Sequence, residues 1–150
     1  MINIFYPVKP KSSPRPRVTR NVTYMPKDYT DWKNGLKLLA KTKIKKPLES
    51  DIHLKIDFFF EIPKSWNKAK KEKAKWHNIK PDIDNLVKSV MDSFNGVVYV
   101  DDGQVVSIQG RKQYANFTGV KIEIVILDAS DIHISDVTSF KKIVKQNMWG

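Results

Sequence analysis

The 150-residue sequence contains no cysteine, which excludes disulfide bonds and thiolate metal sites and fits a reducing compartment. It also lacks any run of about 18 uninterrupted apolar residues, so we expect no membrane-spanning helix. No charged stretch followed by a long apolar one stands at the N-terminus. We therefore expect no secretory signal and a cytoplasmic protein.

Acidic residues are scarce, at 16 against 27 lysines and arginines, and the formal net charge is +11. Such a balance predicts an anionic partner, and nucleic acid is the leading candidate. The basic residues are spread along the chain and interleaved with tryptophan and tyrosine, which disfavours binding to a membrane surface. A soluble protein that is simply basic remains the alternative.

Two segments concentrate the positive charge. Residues 9–20 hold three prolines, which forbid a regular helix, and Arg15, Arg17 and Arg20 suit bidentate contact with phosphate. Residues 65–76 predict a short basic helix capped by Ser65, in which Lys70 and Lys73 are candidates for phosphate contact. A solvated loop and a loosely packed helix are the structural alternatives.

Hydrophobic periodicity predicts an α+β domain in which helices cover a small, mostly antiparallel or mixed sheet. The predicted strands cover residues 1–8, 52–62, 97–100, 105–114 and 120–127, and the predicted helices cover 28–42, 65–76 and 85–94. Strand 52–62 alternates most clearly, and its polar face places Asp57 in solvent. In strand 105–114, alternation predicts that Val106 and Ile108 point inward.

The acidic residues are clustered, since residues 80–104 hold five of the sixteen. Asp82 and Asp84 are two apart, so in an extended segment both carboxylates point to the same side. The helix that follows is about 15 Å long, and a strand at 97–100 would return beside it. That return predicts that one of Asp101 and Asp102 joins Asp82 and Asp84.

Converging carboxylates repel one another unless a cation binds them, and all-oxygen ligands suit Mg²⁺ or Mn²⁺. Such a metal could assist hydrolysis of a DNA phosphodiester, with Lys88 offsetting charge on the transition state. Taken singly, each residue has a plainer interpretation. Asp84 would be a helix N-cap, and residues 101–103 would be an ordinary turn.

Two other metal-site patterns do not fit. Pro81-Asp82 could begin a PD-(D/E)xK nuclease signature, but no acidic-x-Lys element follows on a later strand. The three histidines at positions 53, 77 and 133 form no ligand pair, which disfavours zinc.

The central segment resembles the RusA family of Holliday junction resolvases, which carries D-x-D-N-L-x-K, a further aspartate in the same helix, and D-D-x-Q. The corresponding residues here are Asp82-Ile83-Asp84-Asn85-Leu86-Val87-Lys88, then Asp92, then Asp101-Asp102-Gly103-Gln104. Residues 15–20 are similar to the basic arm of phage-borne members. Residues 128–150 have no counterpart, and we treat them as a C-terminal extension of a single domain.

The resemblance implies a homodimeric, Mg²⁺-dependent endonuclease that nicks two strands symmetrically across a four-way junction. By motif position it implies that Asp82, Asp84 and Asp102 are catalytic metal ligands, with Lys88 essential and Asn85 supporting the site. The residues we expect to contact DNA are Arg15, Arg17, Arg20, Lys70, Lys73, Lys80 and Asn85. An endonuclease acting on forks, D-loops or flaps, and a junction-binding protein without catalysis, are the alternatives.

Overall fold

The computed structural model describes residues 1–128, and the C-terminal extension predicted at 128–150 lies outside the described residues except for residue 128. Its strands are β1 (Ile2–Tyr6), β2 (Arg17–Thr19), β3 (Val22–Tyr24), β4 (Asp51–Glu61), β5 (Val105–Ala115) and β6 (Gly119–Leu127). Its α-helices are α1 (Lys27–Lys43), α2 (Lys68–Lys73) and α3 (Ile83–Phe94). Within residues 1–128, no helix has the length and apolarity needed to cross a membrane.

Four strands form one mixed sheet in the order β1-β6-β4-β5, which confirms the predicted α+β fold. β4 pairs antiparallel with β6 on one side and parallel with β5 on the other. Strands β2 and β3 form a separate two-stranded hairpin. Because β5 is at the edge of the sheet, the segment before α3 can pack directly against it.

The core lies on one face of β4, as the alternation predicts. Ile52, Leu54, Ile56 and Phe58 are all 0% exposed. Burial of one such side chain contributes about 1.5–3 kcal/mol, so this face is the main apolar support of the sheet. Helices α1 and α3 contact each other across it and complete the core.

Helix α1 crosses β1 at a glycine. The hydroxyl of Tyr6 donates a hydrogen bond to the carbonyl oxygen of Trp32 at 2.9 Å, inside the core. A Cβ atom at Gly35 would collide with that hydroxyl, so glycine is required for this close approach. The glycine that weakens the helix by propensity therefore allows α1 to pack.

The predicted strand at 97–100 is wrong, because the chain forms a tight turn after α3. Gly96 adopts a φ of 79°, in the region that favours glycine, and Val98 and Tyr99 are fully buried. The Tyr99 hydroxyl donates to the carbonyl oxygen of Met91 at 2.8 Å. The apolar run fills the space beneath the turn, a role that a short sequence pattern does not distinguish from strand pairing.

Two inward positions predicted on β5 are also wrong. Val106 and Ile108 are 59% and 43% exposed. The register between β4 and β5 shifts at Ile52/His53, so Val106 has no direct partner on β4. As an edge strand, β5 receives little cover at this end, and alternation alone does not reveal that.

The prediction that Asp57 lies in solvent is wrong, because the residue is 4% exposed on the polar face of β4. The Arg111 Nε donates to its Oδ1 at 2.7 Å, and the Gln113 Nε2 lies 3.4 Å from the same oxygen. A buried carboxylate requires such partners. Both partners lie on β5, more than fifty residues away, so the local pattern around Asp57 does not reveal them.

The basic helix begins later than predicted. Asn67, and not Ser65, is its N-cap, and the Asn67 side chain accepts from the backbone N–H of Lys70 at 2.8 Å. Every residue of the helix is exposed, and the C-cap Ala74 that follows it is half-buried. The lysines therefore present a solvent-facing positive surface, as the sequence predicts.

Helix α3 reaches β5 at Gly110. A Cβ atom there would lie 3.3 Å from both Ile83 Cδ1 and Val87 Cγ2. These two side chains therefore sit directly over the glycine, and the first turns of α3 are fixed at that point of the sheet.

Replacing Gly110 by valine should push α3 away from β5 and lower the free energy of unfolding by about 1–3 kcal/mol, as for other overpacked sites. Urea unfolding checks this value. The Gly110→Ala variant adds one carbon atom, which a small shift of Ile83 can accommodate. Its loss of unfolding free energy should therefore be clearly smaller. Equal stability of the valine variant and the parent protein would contradict the contact.

Candidate active site

Asp82 and Asp84 lie at the start of α3, and the extended geometry predicted for both is wrong at Asp84, which is in the first turn of the helix. The helix begins at Ile83, so Asp82 and not Asp84 is at the N-cap position, with φ −71° and ψ 145°. Lys80 Nζ lies 2.7 Å from Asp82 Oδ2, and Asp84 Oδ1 accepts from the backbone N–H of Asn85 at 2.9 Å. The bond to Asp82, with the nearby charges of Asp82 and Asp84, raises the pKa of Lys80.

The apolar stripe of α3 orients this acidic face. Leu86, Val90 and Phe94 are fully buried, which turns the opposite side of the helix to solvent. Asp84 and Lys88 are both exposed and are four residues apart. They therefore lie on the same side of α3, about one turn from each other.

Lys112 on β5 anchors the loop that leads into this site. Its Nζ donates to the carbonyl oxygens of Ile79 and Pro81, both at 2.6 Å. Burial lowers the pKa of Lys112, and the negative charge of Asp82 partly offsets that effect. Lys112 is not among the residues predicted from the sequence, although its place two residues after Gly110, on the same face of β5, is a usable signal.

A second tie runs from the basic arm to the same helix. The backbone N–H of Ser13 donates to the carbonyl oxygen of Asn85 at 3.0 Å. Arg15 and Arg20, on either side of strand β2, are exposed. The arm that carries the arginines is thus attached two residues from Arg15 to the first turn of α3.

The D-D-x-Q element forms a 3-10 turn over Asp102–Gln104 in which Asp101 has the structural role. Its Oδ2 accepts from the backbone N–H of Gly103 at 3.0 Å, and its own N–H donates to Gln104 Oε1 at 3.0 Å. This reciprocal pair is a capping box. Asp102 is exposed and takes no part in that box.

Gln104 also fixes the turn to the rest of the domain. Its Nε2 donates to the carbonyl oxygens of Leu48 and Ser50, at 2.8 and 2.9 Å. The glutamine therefore holds both the turn and the chain before β4. The position of Asp102 is set by these backbone contacts.

Asp92 lies near the other end of α3, where it accepts from the Tyr29 hydroxyl at 3.1 Å. Burial, with the charge of Asp92, raises the pKa of Tyr29 to about 12. Burial raises the pKa of Tyr99 as well, and the charges of Asp102 and Asp92 add to that shift. Asp92 and Asp102 are thus close enough to Tyr99 for their charges to act on it.

Along α3 itself, Asp84 is in the first turn and Asp92 is near the C-terminal end. Asp84 and Asp92 are eight residues apart, which is about 12 Å along a helix. Within residues 1–128, no three histidine or acidic side chains are grouped in a way that could hold a metal ion. A site made by Asp82, Asp84 and Asp102 therefore stays a prediction, which the exposed carboxylate oxygens fit by donor chemistry.

The model of the family described as Endodeoxyribonuclease RusA matches residues 7–125, which include the basic arm, α3 and the D-D-x-Q turn. The chain belongs to the RusA family. One relative is the Uncharacterized protein YqaN of Bacillus subtilis (strain 168), 34% identical over 90 residues, or 56% of this chain and 61% of that protein. Another is the Crossover junction endodeoxyribonuclease rusA of Lactococcus phage r1t, 34% identical over 89 residues, or 57% and 64%. The chain thus spans less than two thirds of these relatives.

Replacing Lys112 by methionine should leave the carbonyls of Ile79 and Pro81 without their donor. We expect the free energy of unfolding to fall by about 1–2 kcal/mol, the usual cost of losing charged hydrogen bonds that are partly buried. Urea unfolding measures it. Lys112→Arg keeps the charge and can donate two bonds, so it should retain most of the stability. If methionine and arginine behave alike, the two hydrogen bonds do not hold the loop.

Proposed function

We propose that this RusA-family protein is a metal-dependent, structure-selective endodeoxyribonuclease that resolves Holliday junctions by paired symmetric nicks. The observation that carries the proposal is the exposed face of α3, where Asp82, Asp84 and Lys88 stand beside a basic arm tied to Asn85. The family match covers this whole region and supports the same reaction class. The name of the Lactococcus phage relative supports a four-way junction as substrate and a phage or prophage origin.

The carboxylates of Asp82, Asp84 and Asp102 are the proposed ligands of Mg²⁺, for which Mn²⁺ can substitute. The bound metal would supply positive charge to polarise the scissile phosphate and to activate water. Lys88, one turn from Asp84, would neutralise charge that develops on the phosphate oxygens. Asn85 would support the site through its place beside Asp84.

DNA binding in this proposal is dominated by phosphate contacts and is therefore sensitive to salt. The arm supplies Arg15, Arg17 and Arg20, and the basic helix supplies Lys70 and Lys73. Lys80 would exchange its ion pair with Asp82 for a DNA phosphate when metal and substrate bind. Asn85 is the remaining proposed contact.

Paired nicks at symmetric positions require two active sites, so we propose a homodimer. A two-fold dimer presents two identical sites, which matches the symmetry of a four-way junction. Each protomer would cut one strand. Branched DNA and a second copy of this chain are thus the proposed partners.

The direct test is a nicking assay on a synthetic four-way junction with Mg²⁺, with Ca²⁺ or with EDTA. We expect paired cuts with Mg²⁺ and no cuts with EDTA, because hydrolysis depends on the metal. Binding without cutting under every metal condition would favour a junction-binding protein.

A panel of forks, flaps and D-loops separates the resolvase from a general branched-DNA nuclease. A resolvase should cut the four-way junction fastest, with cuts placed symmetrically on two strands. Equal rates on all branched substrates would remove the resolvase assignment but keep the nuclease.

Substitutions at the acidic positions test the division of roles. Asp84→Asn and Asp102→Asn should each lower the cleavage rate by about a hundredfold or more, because each removes a charged metal ligand, while junction binding in EDTA persists. Asp101→Asn is the matched control, since asparagine also caps well and can still accept from Gly103. Normal cleavage by the Asp102 variant with loss in the Asp101 variant would reverse the two roles.

A further inference from the structure

An additional segment lies along the outer edge of β5. The Tyr114 N–H donates to the carbonyl oxygen of Lys75 at 2.8 Å, and the His77 N–H donates to that of Lys112 at 3.1 Å. Trp76, between them, is paired with Gln113. The His77 ring is buried and stacks on Phe60 with centroids 3.8 Å apart, so the backbone of Trp76 is held firmly.

Beside this segment is a groove of about 560 Å³ between the basic helix and β5. Trp66, Trp76 and Tyr114 supply aromatic walls, and the ring centroids of Trp66 and Tyr114 are 5.1 Å apart. Lys70 Nζ lies 4.1 Å from the Trp66 ring centroid. Lysines line the groove and no acidic residue does, among the residues that the structure describes.

Trp76 is the unusual member, because 51% of it is exposed in the folded chain. An exposed tryptophan with a fixed backbone, among lysines, suits a ligand that offers both a flat ring and negative charge. Nucleotides offer both. In a duplex the faces of the bases are covered by their neighbours, so only unpaired bases can stack on a tryptophan.

We propose that this groove binds unpaired nucleotides of DNA, with a base stacked on Trp76 and backbone phosphates at Lys70 and Lys73. A protein strand is a poorer fit, since Lys75–His77 already occupies this part of the β5 edge. The lysine lining also favours a polyanion over an average protein surface.

The groove is physically joined to the candidate active site. Ile79 lines the groove and precedes Asp82 by three residues, a separation of at most about 11 Å. Lys112 holds the carbonyl oxygens of Ile79 and Pro81, so the wall of the groove and the entry to α3 are fixed to the same strand. Nucleotides unpaired at a branch point could thus be held while a neighbouring phosphodiester is cut.

This inference deepens the proposed function, and a binding assay that needs no cleavage separates the two. Full-length protein in EDTA is titrated into a labelled oligothymidylate of about twelve nucleotides, and into a duplex of equal length. Trp76→Ala should weaken binding to the single strand about tenfold or more, and binding to the duplex less than about twofold. Trp76→Phe, which keeps a stacking face, should fall between.

Phe5→Ala is the matched control, because Phe5 is 46% exposed and lies on β1, at the opposite edge of the sheet. Its affinity for the single strand should equal that of the parent protein. Equal affinities of Trp76→Ala and the parent protein for oligothymidylate would overturn the proposed binding of nucleotides in the groove. A preference of the parent protein for duplex would also overturn it. Should the alanine variant fail to fold, two results together would overturn the proposal equally. They are parental affinity in Trp76→Phe and tryptophan fluorescence of the parent protein that is not quenched on DNA binding.

The phosphate half of the proposal has its own measurement. Replacing both Lys70 and Lys73 by alanine should reduce the slope of log affinity against log salt for the oligothymidylate by about 1.4, the value for two phosphate contacts on a single strand. An unchanged slope would remove the lysines from the site. If the parent protein binds oligothymidylate but does not cut junctions, the proposed nuclease activity is refuted and the proposed binding of nucleotides in the groove stands.

Discussion

The ammonium group of Lys112 joins the sheet to the loop that precedes α3. It satisfies two carbonyl oxygens at once, at 2.6 Å each, and its strand also holds Gly110 against Ile83. Two points of attachment on one rigid strand define both the position and the direction of the helix start. The start of α3 in turn fixes the positions of three features. They are the acidic face of the helix, the basic arm where Ser13 contacts Asn85, and the wall of the groove at Ile79.

The parts of the fold predicted from sequence are those where one segment decides its own environment. Strand β4 alternates over its length and is buried on one side, and the stripe of α3 points into the core as its spacing predicts. In both cases the periodicity of large apolar side chains shows which face is buried, and that burial is the main source of stability. The basic helix was also predictable, because its lysines are exposed to solvent without any partner elsewhere in the fold.

The parts that were missed depend on partners distant in the chain. Asp57 is buried only because Arg111 reaches it, and Lys112 matters only because residues 79–81 lie beneath it. The run at 97–100 is apolar because it packs beside α3, where the Tyr99 hydroxyl donates a hydrogen bond to the carbonyl oxygen of Met91. A pattern read along the chain records that these residues are polar or apolar, but the contacts that give them roles form across the fold.

In the proposed nuclease, the balance of charge would allow an acidic site to approach a polyanion. Bare carboxylates at the start of α3 would repel DNA phosphates, and the repulsion would be strong at close range. Lys80 already pairs with Asp82, and the charge of Lys112 acts on the same carboxylate. The arm is tied to Asn85 through Ser13, and the formal net charge of the chain is +11. In the proposed nuclease, the surplus of basic residues would therefore offset the repulsion between these carboxylates and a phosphate.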